Sequence, residues 1–178
     1  MSPLTLISDP SICYPPSAPI SVPLAVHSSS STLILPTSHP SSIQIYSPFS
    51  STSTSELEVS PSNRVSRRDE KPLEPSRVER VVVSLSGLWM STIDSRQGDA
   101  NFGTEVFLKF WIWDQKTRRW LLNTRIDRPH GQKKVNGLSF SPDKDKKQPI
   151  TLISTGEDGC IKFWVLRSRK SGSASQEG

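Results

Sequence analysis

The sequence predicts an all-β protein built from short antiparallel strands, and three observations support this fold class. Runs of four to eight residues rich in β-branched and aromatic side chains recur, each bounded by Gly, Pro, Ser, Asn or Asp. No window shows sustained 3.6-residue periodicity with helix caps. Turn signals recur at a spacing typical of a propeller, a barrel or a sandwich.

The chain opens with a leader rich in Ser and Pro. The first 60 residues contain 18 Ser and nine Pro, and residues 1–63 contain no Lys or Arg. Few apolar side chains are available there to offset the loss of chain entropy on folding. The sequence therefore predicts a disordered leader over residues 1–19. This leader lacks the basic segment and the sustained apolar run of a secretory signal.

Strand signals begin near residue 20 and continue to the last apolar run. A polar, Pro-interrupted connection over residues 61–77 separates the third run from the fourth and cannot hold a helix. No apolar run approaches about 18 residues, so we expect no membrane span and a soluble, intracellular protein. The predicted strands are 32–37, 42–48, 56–61, 78–86, 88–94, 105–113, 119–126, 135–140, 150–155 and 160–165.

Charge is unevenly distributed along the chain. The net charge is +5, but residues 1–63 carry −3, so the remainder carries +8. A basic surface favours nucleic acid or acidic protein partners, although it also serves solubility alone. Four cations of the connection could contact RNA phosphates or a partner, namely Arg64, Arg67, Arg68 and Lys71. Neighbouring carboxylates dilute this charge, so a solvated loop is the alternative.

Two further features are candidates for binding sites. The segment "KTRRW" at Lys116–Trp120 places basic side chains next to an aromatic ring. This ring could stack on a nucleotide or pack inside the fold. Cys13 and Cys160 lie far apart without a Cys-x-x-Cys or Cys/His neighbour, which does not favour a zinc site and fits a reducing compartment. The sequence implies no metal, cofactor or small-molecule substrate.

Internal repeats separate the three all-β architectures. The runs 42–48, 108–114 and 161–166 share an order of apolar, Lys or Gln, apolar and aromatic residues. This alignment makes Tyr46, Trp111 and Trp164 equivalent. Their separations exceed the roughly 40–45 residues of a WD repeat, and the polar insertions supply the difference. The sequence therefore predicts three partial repeats of a propeller.

The third repeat carries a set of four polar and aromatic residues. From its His to its third strand it resembles a WD repeat, in which a His, a Ser or Thr, an Asp and a Trp form a hydrogen-bonded tetrad. The matching positions are His130, Ser154, Asp158 and Trp164. We expect a buried Asp158 surrounded by donors, because an unpaired buried carboxylate is costly. Gly159 fits the adjacent turn.

A Ser, a His and an Asp also invite a hydrolase interpretation. That chemistry needs an exposed nucleophile and an oxyanion hole. Ser154 lies in a core-type strand and no G-x-S-x-G elbow occurs, so we interpret the set as structural and Glu157 as a solvated turn residue. The other repeats match less well. Glu105 lies six residues before Trp111, and Pro40 occupies the Asp position of the first repeat.

One block resembles a particular family more closely than a generic repeat. It contains a G-x-W-[ML]-[AS]-T segment at Gly87–Thr92, an L-K-[FL]-W strand, and "LNTRID-x-PH" at Leu122–His130. Over residues 22–167 the chain is similar to the WD repeat-containing protein 75 family, in its fungal form. The resemblance implies a non-catalytic scaffold of two propellers in the UtpA (t-UTP) part of the small-subunit processome. It also implies pre-ribosomal RNA processing and support of transcription by RNA polymerase I.

The same resemblance implies location and partners. These are the nucleus and nucleolus, other UtpA/t-UTP subunits, and pre-rRNA with a small nucleolar ribonucleoprotein, with direct RNA contact left open. A general WD adaptor in ubiquitin ligation or chromatin remains the alternative, as does a remnant that does not function alone. Because the chain stops after a third strand, we expect an open fragment of about two and a half blades, from a truncated gene model, a divergent fragment or an engineered piece.

The predicted division of the chain follows from these patterns. It comprises a disordered leader (1–19), a degenerate first repeat (20–60), the basic loop (61–77), a second repeat (78–128), a third repeat lacking its last strand (129–167) and a disordered tail (168–178).

Overall fold

The computed structural model describes residues 22–61, 75–98, 103–142 and 149–166. It contains three antiparallel sheets in which sequential strands are neighbours. The first sheet contains β1 (Ala25–His27), β2 (Thr32–Pro36), β3 (Ser42–Ser47) and β4 (Thr52–Glu58). The second contains β5 (Arg77–Val83), β6 (Trp89–Arg96), β7 (Glu105–Asp114) and β8 (Arg119–Asp127). The third contains β10 (Val135–Phe140), β11 (Thr151–Gly156) and β12 (Ile161–Val165).

Two short elements lie outside this regular pattern. One 3-10 turn covers Ser28–Ser30, and β9 (Pro129–Gln132) occupies the connection between the second and third sheets. Within the described residues the three sheets do not close into a ring. The all-β prediction is therefore confirmed. The predicted disordered leader and tail, and all but the two ends of the basic loop, lie outside the described residues.

The largest differences from the sequence prediction are the earlier start of β4, the earlier end of β5 at Val83 instead of residue 86, and two strands that were not predicted. The strand expected at 56–61 is β4, which begins at Thr52 and ends at Glu58. Its first residues alternate Thr with Ser and are exposed, so they lack the apolar alternation that marks a strand, and they are fixed by pairing with β3. β1 and β9 were not predicted, since each contains only three or four residues and lacks a β-branched run.

The register places the three repeat aromatics at the same position. Each lies on the third strand of its sheet, opposite an apolar residue of the second strand. The pairs are Tyr46 with Leu33, Trp111 with Met90, and Trp164 with Leu152. Because side chains alternate between the faces of a strand, this common register also makes the flanking positions equivalent.

Two apolar clusters join the sheets in series. One joins the first and second sheets and includes Ile43, Ile45, Met90 and Trp111, all buried. The other joins the second and third sheets and includes Leu108, Phe110 and Leu152. The second sheet is therefore covered on both faces. This accounts for the nearly continuous apolar run of β7, in which six consecutive residues are buried.

Candidate functional site

The third sheet brings the four predicted tetrad residues into one hydrogen-bonded chain. His130 comes from β9, Ser154 from β11, Asp158 from the following turn and Trp164 from β12. His130 Nδ1 lies 2.8 Å from Asp158 Oδ1, and His130 Nε2 lies 2.8 Å from Ser154 Oγ. Trp164 Nε1 donates to the same Ser154 oxygen at 2.9 Å. The network thus links the connection, the turn and two strands.

The Trp164 indole can only donate, and this determines which atom is the donor in each of the other hydrogen bonds. The indole N–H of Trp164 donates to Ser154, so the Ser154 hydroxyl is free to donate to His130 Nε2. The ring then carries its proton on Nδ1, which donates to Asp158. Within this four-residue network, the side-chain hydrogens of Trp164, Ser154 and His130 therefore each have an acceptor. This assignment fixes the tautomer of His130 without requiring a charged ring.

The order Asp, His, Ser is also that of a hydrolase triad, but the environment of the serine differs. Ser154 is 0% exposed, and its oxygen already accepts the Trp164 N–H. A nucleophilic serine has to be reached by substrate and to lie beside an oxyanion hole. Ser154 in this arrangement cannot meet a substrate carbonyl. The geometry stabilises the sheet instead.

Asp158 is less buried than the sequence predicted. Its side chain is 21% exposed because the residue lies in the turn between β11 and β12, at the rim of the sheet. Burial raises the pKa of its carboxyl, but the hydrogen bonds from His130 and the Cys160 amide outweigh this, so the net pKa is lowered. Lys162 lies 3.8 Å from the other carboxylate oxygen. Gly159 has φ +74, as the turn requires, and Glu157 is exposed.

The second sheet contains a hydrogen bond that sequence reasoning missed. Trp111 Nε1 donates to Thr92 Oγ1 at 3.0 Å, and both side chains are buried. Thr92 pairs with Lys109 in the register in which Ser154 pairs with Lys162. Thr92 is therefore the equivalent of Ser154. A longer hairpin places it 19 residues before its Trp, instead of ten, so the spacing of the third repeat did not reveal it.

A buried ion pair lies beside that bond. Lys109 Nζ lies 2.8 Å and 2.9 Å from the two carboxylate oxygens of Asp94, and the side chains are 5% and 0% exposed. Lys109 also donates to the Val59 carbonyl at 2.7 Å, which ties the second sheet to the end of the first. Burial raises the pKa of Asp94 and lowers that of Lys109, while each charge opposes the shift of the other.

A third polar group lies between the first and second sheets. His27 Nε2 lies 2.9 Å from the Gly87 carbonyl, and its ring lies 4.6 Å from the ring of Trp113 and 5.0 Å from that of Trp120. Burial lowers the pKa of His27, and the bond to Gly87 opposes this shift. Trp120 is only 5% exposed. The nucleotide-stacking interpretation of "KTRRW" is therefore wrong, because the ring packs in the core.

The remaining sequence predictions concern the four cations of the connection, metal ligands, the cysteines and membrane spans. Arg64, Arg67, Arg68 and Lys71 lie outside the described residues. Among the residues that are described, no group of three His, Cys, Asp or Glu side chains could hold a metal ion. Cys160 is a free, exposed thiol. No helix within the described ranges is long and apolar enough to cross a membrane.

A family model now decides the relationship of the chain. The model of the WD repeat-containing protein 75 second beta-propeller matches residues 24–177. The chain belongs to the WD repeat-containing protein 75 family. Its three open sheets are accordingly part of a WD-type β-propeller.

Individual relatives agree with this membership. WD repeat-containing protein 75 of Xenopus laevis is 33% identical over 87 residues, which cover 48% of this chain and 10% of that protein. The Homo sapiens protein of the same name is 34% identical over 80 residues, covering 45% of this chain and 9% of its own. U3 small nucleolar RNA-associated protein 17 of Schizosaccharomyces pombe is 30% identical over 109 residues, covering 55% and 12%. The chain thus matches about a tenth of the length of these relatives.

Proposed function

We propose that this chain acts as a non-catalytic WD-repeat scaffold in small-subunit ribosome biogenesis. Its roles are pre-rRNA processing and support of rRNA transcription by RNA polymerase I, and its location is the nucleolus. Its partners are other UtpA/t-UTP subunits and the pre-rRNA with its small nucleolar ribonucleoprotein. The observation that carries the proposal is the family match over residues 24–177, together with a yeast relative named for association with U3 small nucleolar RNA.

The geometry supports a scaffold more than an enzyme. The conspicuous polar groups, which are the tetrad and the Lys109–Asp94 pair, use their hydrogen bonds to join strands and connections. Their hydroxyl and ammonium groups are buried against protein partners, so they are not presented to a substrate. Propellers offer rigid surfaces on which loops carry the binding function. The exposed loops and strand faces are therefore the surfaces through which the scaffold acts.

A pull-down from nuclear extract tests the assignment. The tagged chain is compared with a complete family member, and both are probed for UtpA subunits and for the 5′ spacer of the ribosomal precursor RNA. We expect the chain to recover both, at lower yield than the complete protein. Recovery of ubiquitin-ligase or chromatin components instead would favour the general adaptor. If only the complete protein recovers the processome components, the chain itself lacks the function.

Direct RNA binding is tested separately by its salt dependence. Replacing Arg64, Arg67, Arg68 and Lys71 with Gln removes the four cations of the connection. For single-stranded RNA, each phosphate that these side chains no longer neutralise reduces the slope of log affinity against log salt by about 0.7. The control replaces the three cations Lys116, Arg118 and Arg119, which lie in and beside the exposed β7–β8 turn, and the two variants are compared per cation removed. Equal reductions per cation removed would show that only overall charge matters and would contradict specific binding by the connection.

A further inference from the structure

Hydroxyl side chains with a carboxylate three positions later recur among the described residues, and the structure separates the enclosed examples from the exposed ones. Those that are buried or half-buried are Ser76, Ser91, Ser154 and Thr155. Those that are exposed are Ser53, Ser55 and Thr124. The Thr124 hydroxyl donates to Asn123, and Arg125 follows it directly. The two serines of β4 are therefore the accessible members of this set.

β4 presents these two serines on opposite faces of the first sheet. Ser55 lies opposite Ile45 and shares its face, which packs against the second sheet. Ser53 lies opposite Tyr46 on the other face, for which the described residues contain no neighbouring sheet. Ser55 is exposed with the second sheet in place, because β4 is the last strand in the order β1-β2-β3-β4 and forms an edge. Its accessibility is therefore measured beside a neighbour that the structure describes.

The charges around Ser55 fit one class of modifying enzyme. Glu56 and Glu58 follow the serine at one and three positions, and both are exposed. Residues 1–63 contain no Lys or Arg, so a kinase that recognises a basic residue before its serine finds none here. The residue after Ser55 is Glu56 and not Pro, which excludes a proline-directed kinase. Kinases select their substrates by charge pattern, and this pattern suits a kinase with a basic substrate pocket.

We propose that Ser55 is a phosphorylation site for an acidic-directed serine kinase. The kinase transfers the γ-phosphoryl group of MgATP to Ser55 Oγ. A bond forms between this oxygen and the γ-phosphorus, the bond from that phosphorus to the oxygen bridging it to the β-phosphorus breaks, ADP leaves, and the hydroxyl proton passes to a carboxylate of the kinase. The phosphate adds a charge of about −1.5 to −2 beside Glu56 and Glu58, which opposes pairing of this edge with another strand. This modification is separate from the proposed function in ribosome biogenesis.

Phosphate incorporation into the full chain tests the proposal. The folded chain is incubated with MgATP and a purified acidic-directed kinase of the casein kinase 2 class, and mass spectrometry gives the initial rate at each serine. Glu58→Gln removes the charge three positions after Ser55 and keeps the size of the side chain. The matched control is Glu157→Gln, since Glu157 is also exposed and lies three positions after Ser154, which is 0% exposed. Near-ultraviolet circular dichroism verifies that each variant is folded.

We expect Ser55 to be the main site of phosphate incorporation in the folded chain. Glu58→Gln should lower the rate at Ser55 about tenfold, through the loss of one charge-assisted hydrogen bond to the kinase, whereas Glu157→Gln should leave it unchanged. The enclosed Ser91 and Ser154 should stay free of phosphate in the folded chain and gain it in tryptic peptides. A folded chain that takes up no phosphate at Ser55, or takes it up there only after digestion, overturns the proposal. Equal rates for the original chain and Glu58→Gln overturn it too, because the acidic residue would then not be recognised.

Discussion

Removal of the Ser154 hydroxyl tests the structural interpretation of the tetrad. The substitution Ser154→Ala leaves two ring nitrogens without a partner, His130 Nε2 and Trp164 Nε1. An unsatisfied buried polar group costs about 1–3 kcal/mol. His130 is 1% exposed and bears this cost in full, whereas the half-buried Trp164 can recover part of it from water. We expect a decrease of about 2 kcal/mol in the free energy of unfolding.

Urea denaturation followed by Trp fluorescence measures this decrease. For a chain of this size 2 kcal/mol corresponds to a decrease in Tm of about 4–8 °C. Ser154→Thr is the matched control, because Thr92 accepts the equivalent bond from Trp111 in the second sheet. We expect the Thr variant to lose less than half as much stability as the Ala variant, the remainder reflecting its extra methyl group in a closely packed site.

A double-variant cycle distinguishes the hydrogen bond from simple loss of packing. Trp164→Phe removes the indole donor, so Ser154→Ala should cost about 1 kcal/mol less in that background than in the unmodified chain. An unchanged cost in both backgrounds, or a Ser154→Ala cost below about 0.5 kcal/mol, would refute the reasoning. Because the serine is enclosed, we expect no hydrolytic activity that Ser154→Ala could abolish, only a loss of stability.

Three further predictions concern the junction of the first and second sheets. Lys109→Met should destabilise the chain by about 3–5 kcal/mol, because Asp94 becomes an unpaired buried carboxylate, and Asp94→Asn in addition should recover part of the loss in urea denaturation. The lowered pKa of His27 means that the unfolded chain binds more protons in mildly acidic solution. Stability is therefore fully present above the unfolded pKa of about 6.5 and should fall as pH decreases through the lower folded pKa, and a His27→Gln variant should lose this dependence in thermal unfolding scans. Gly87→Ala should cost more than Gly131→Ala, since both have positive φ but only Gly87 lacks room for a Cβ, beside Ser29 and His27; equal costs in Tm would contradict the steric argument.

The sequence revealed the strands whose signal is local, and it missed features that depend on register. The shared order of apolar, Lys, apolar and aromatic residues in β7 and β12 was sufficient to predict both strands and to align Trp111 with Trp164. β1 has only three residues, so no local run marks it, and it is fixed by pairing with β2. Short elements of this kind are determined by tertiary contacts that local propensity does not contain.

The site shows the same division between local and register-dependent information. The tetrad of the third repeat could be proposed because its turn is short and the spacing from Ser154 to Trp164 is undisturbed. In the second repeat, matching the dipeptide Ser91-Thr92 with Ser154-Thr155 gives a register wrong by one residue, which exchanges the two faces of the strand. A better signal was available in Lys109, a charge within an apolar run, which requires a buried partner such as Asp94.

The position of Lys109 points to a structural device more general in this chain than the tetrad. Its equivalent in the third sheet is Lys162, which donates to the Pro129 carbonyl at 2.6 Å, while Lys109 donates to the Val59 carbonyl at 2.7 Å. Both carbonyls lie just after the last strand of the preceding sheet, so each lysine holds the connection that enters its own sheet.

The carboxylates beside these lysines come from different places. Asp94 lies within a strand, whereas Asp158 belongs to the tetrad turn. The second sheet therefore retains the lysine and the Thr92–Trp111 bond and uses an acid from another position. The carboxylate that lies beside the lysine thus differs in position between the two sheets. In both sheets, however, a lysine of the third strand donates to a carbonyl of the connection. The apolar clusters join the faces of successive sheets, and the two lysines hold the connections between them in both places, whereas the full set of four tetrad residues occurs only in the third sheet.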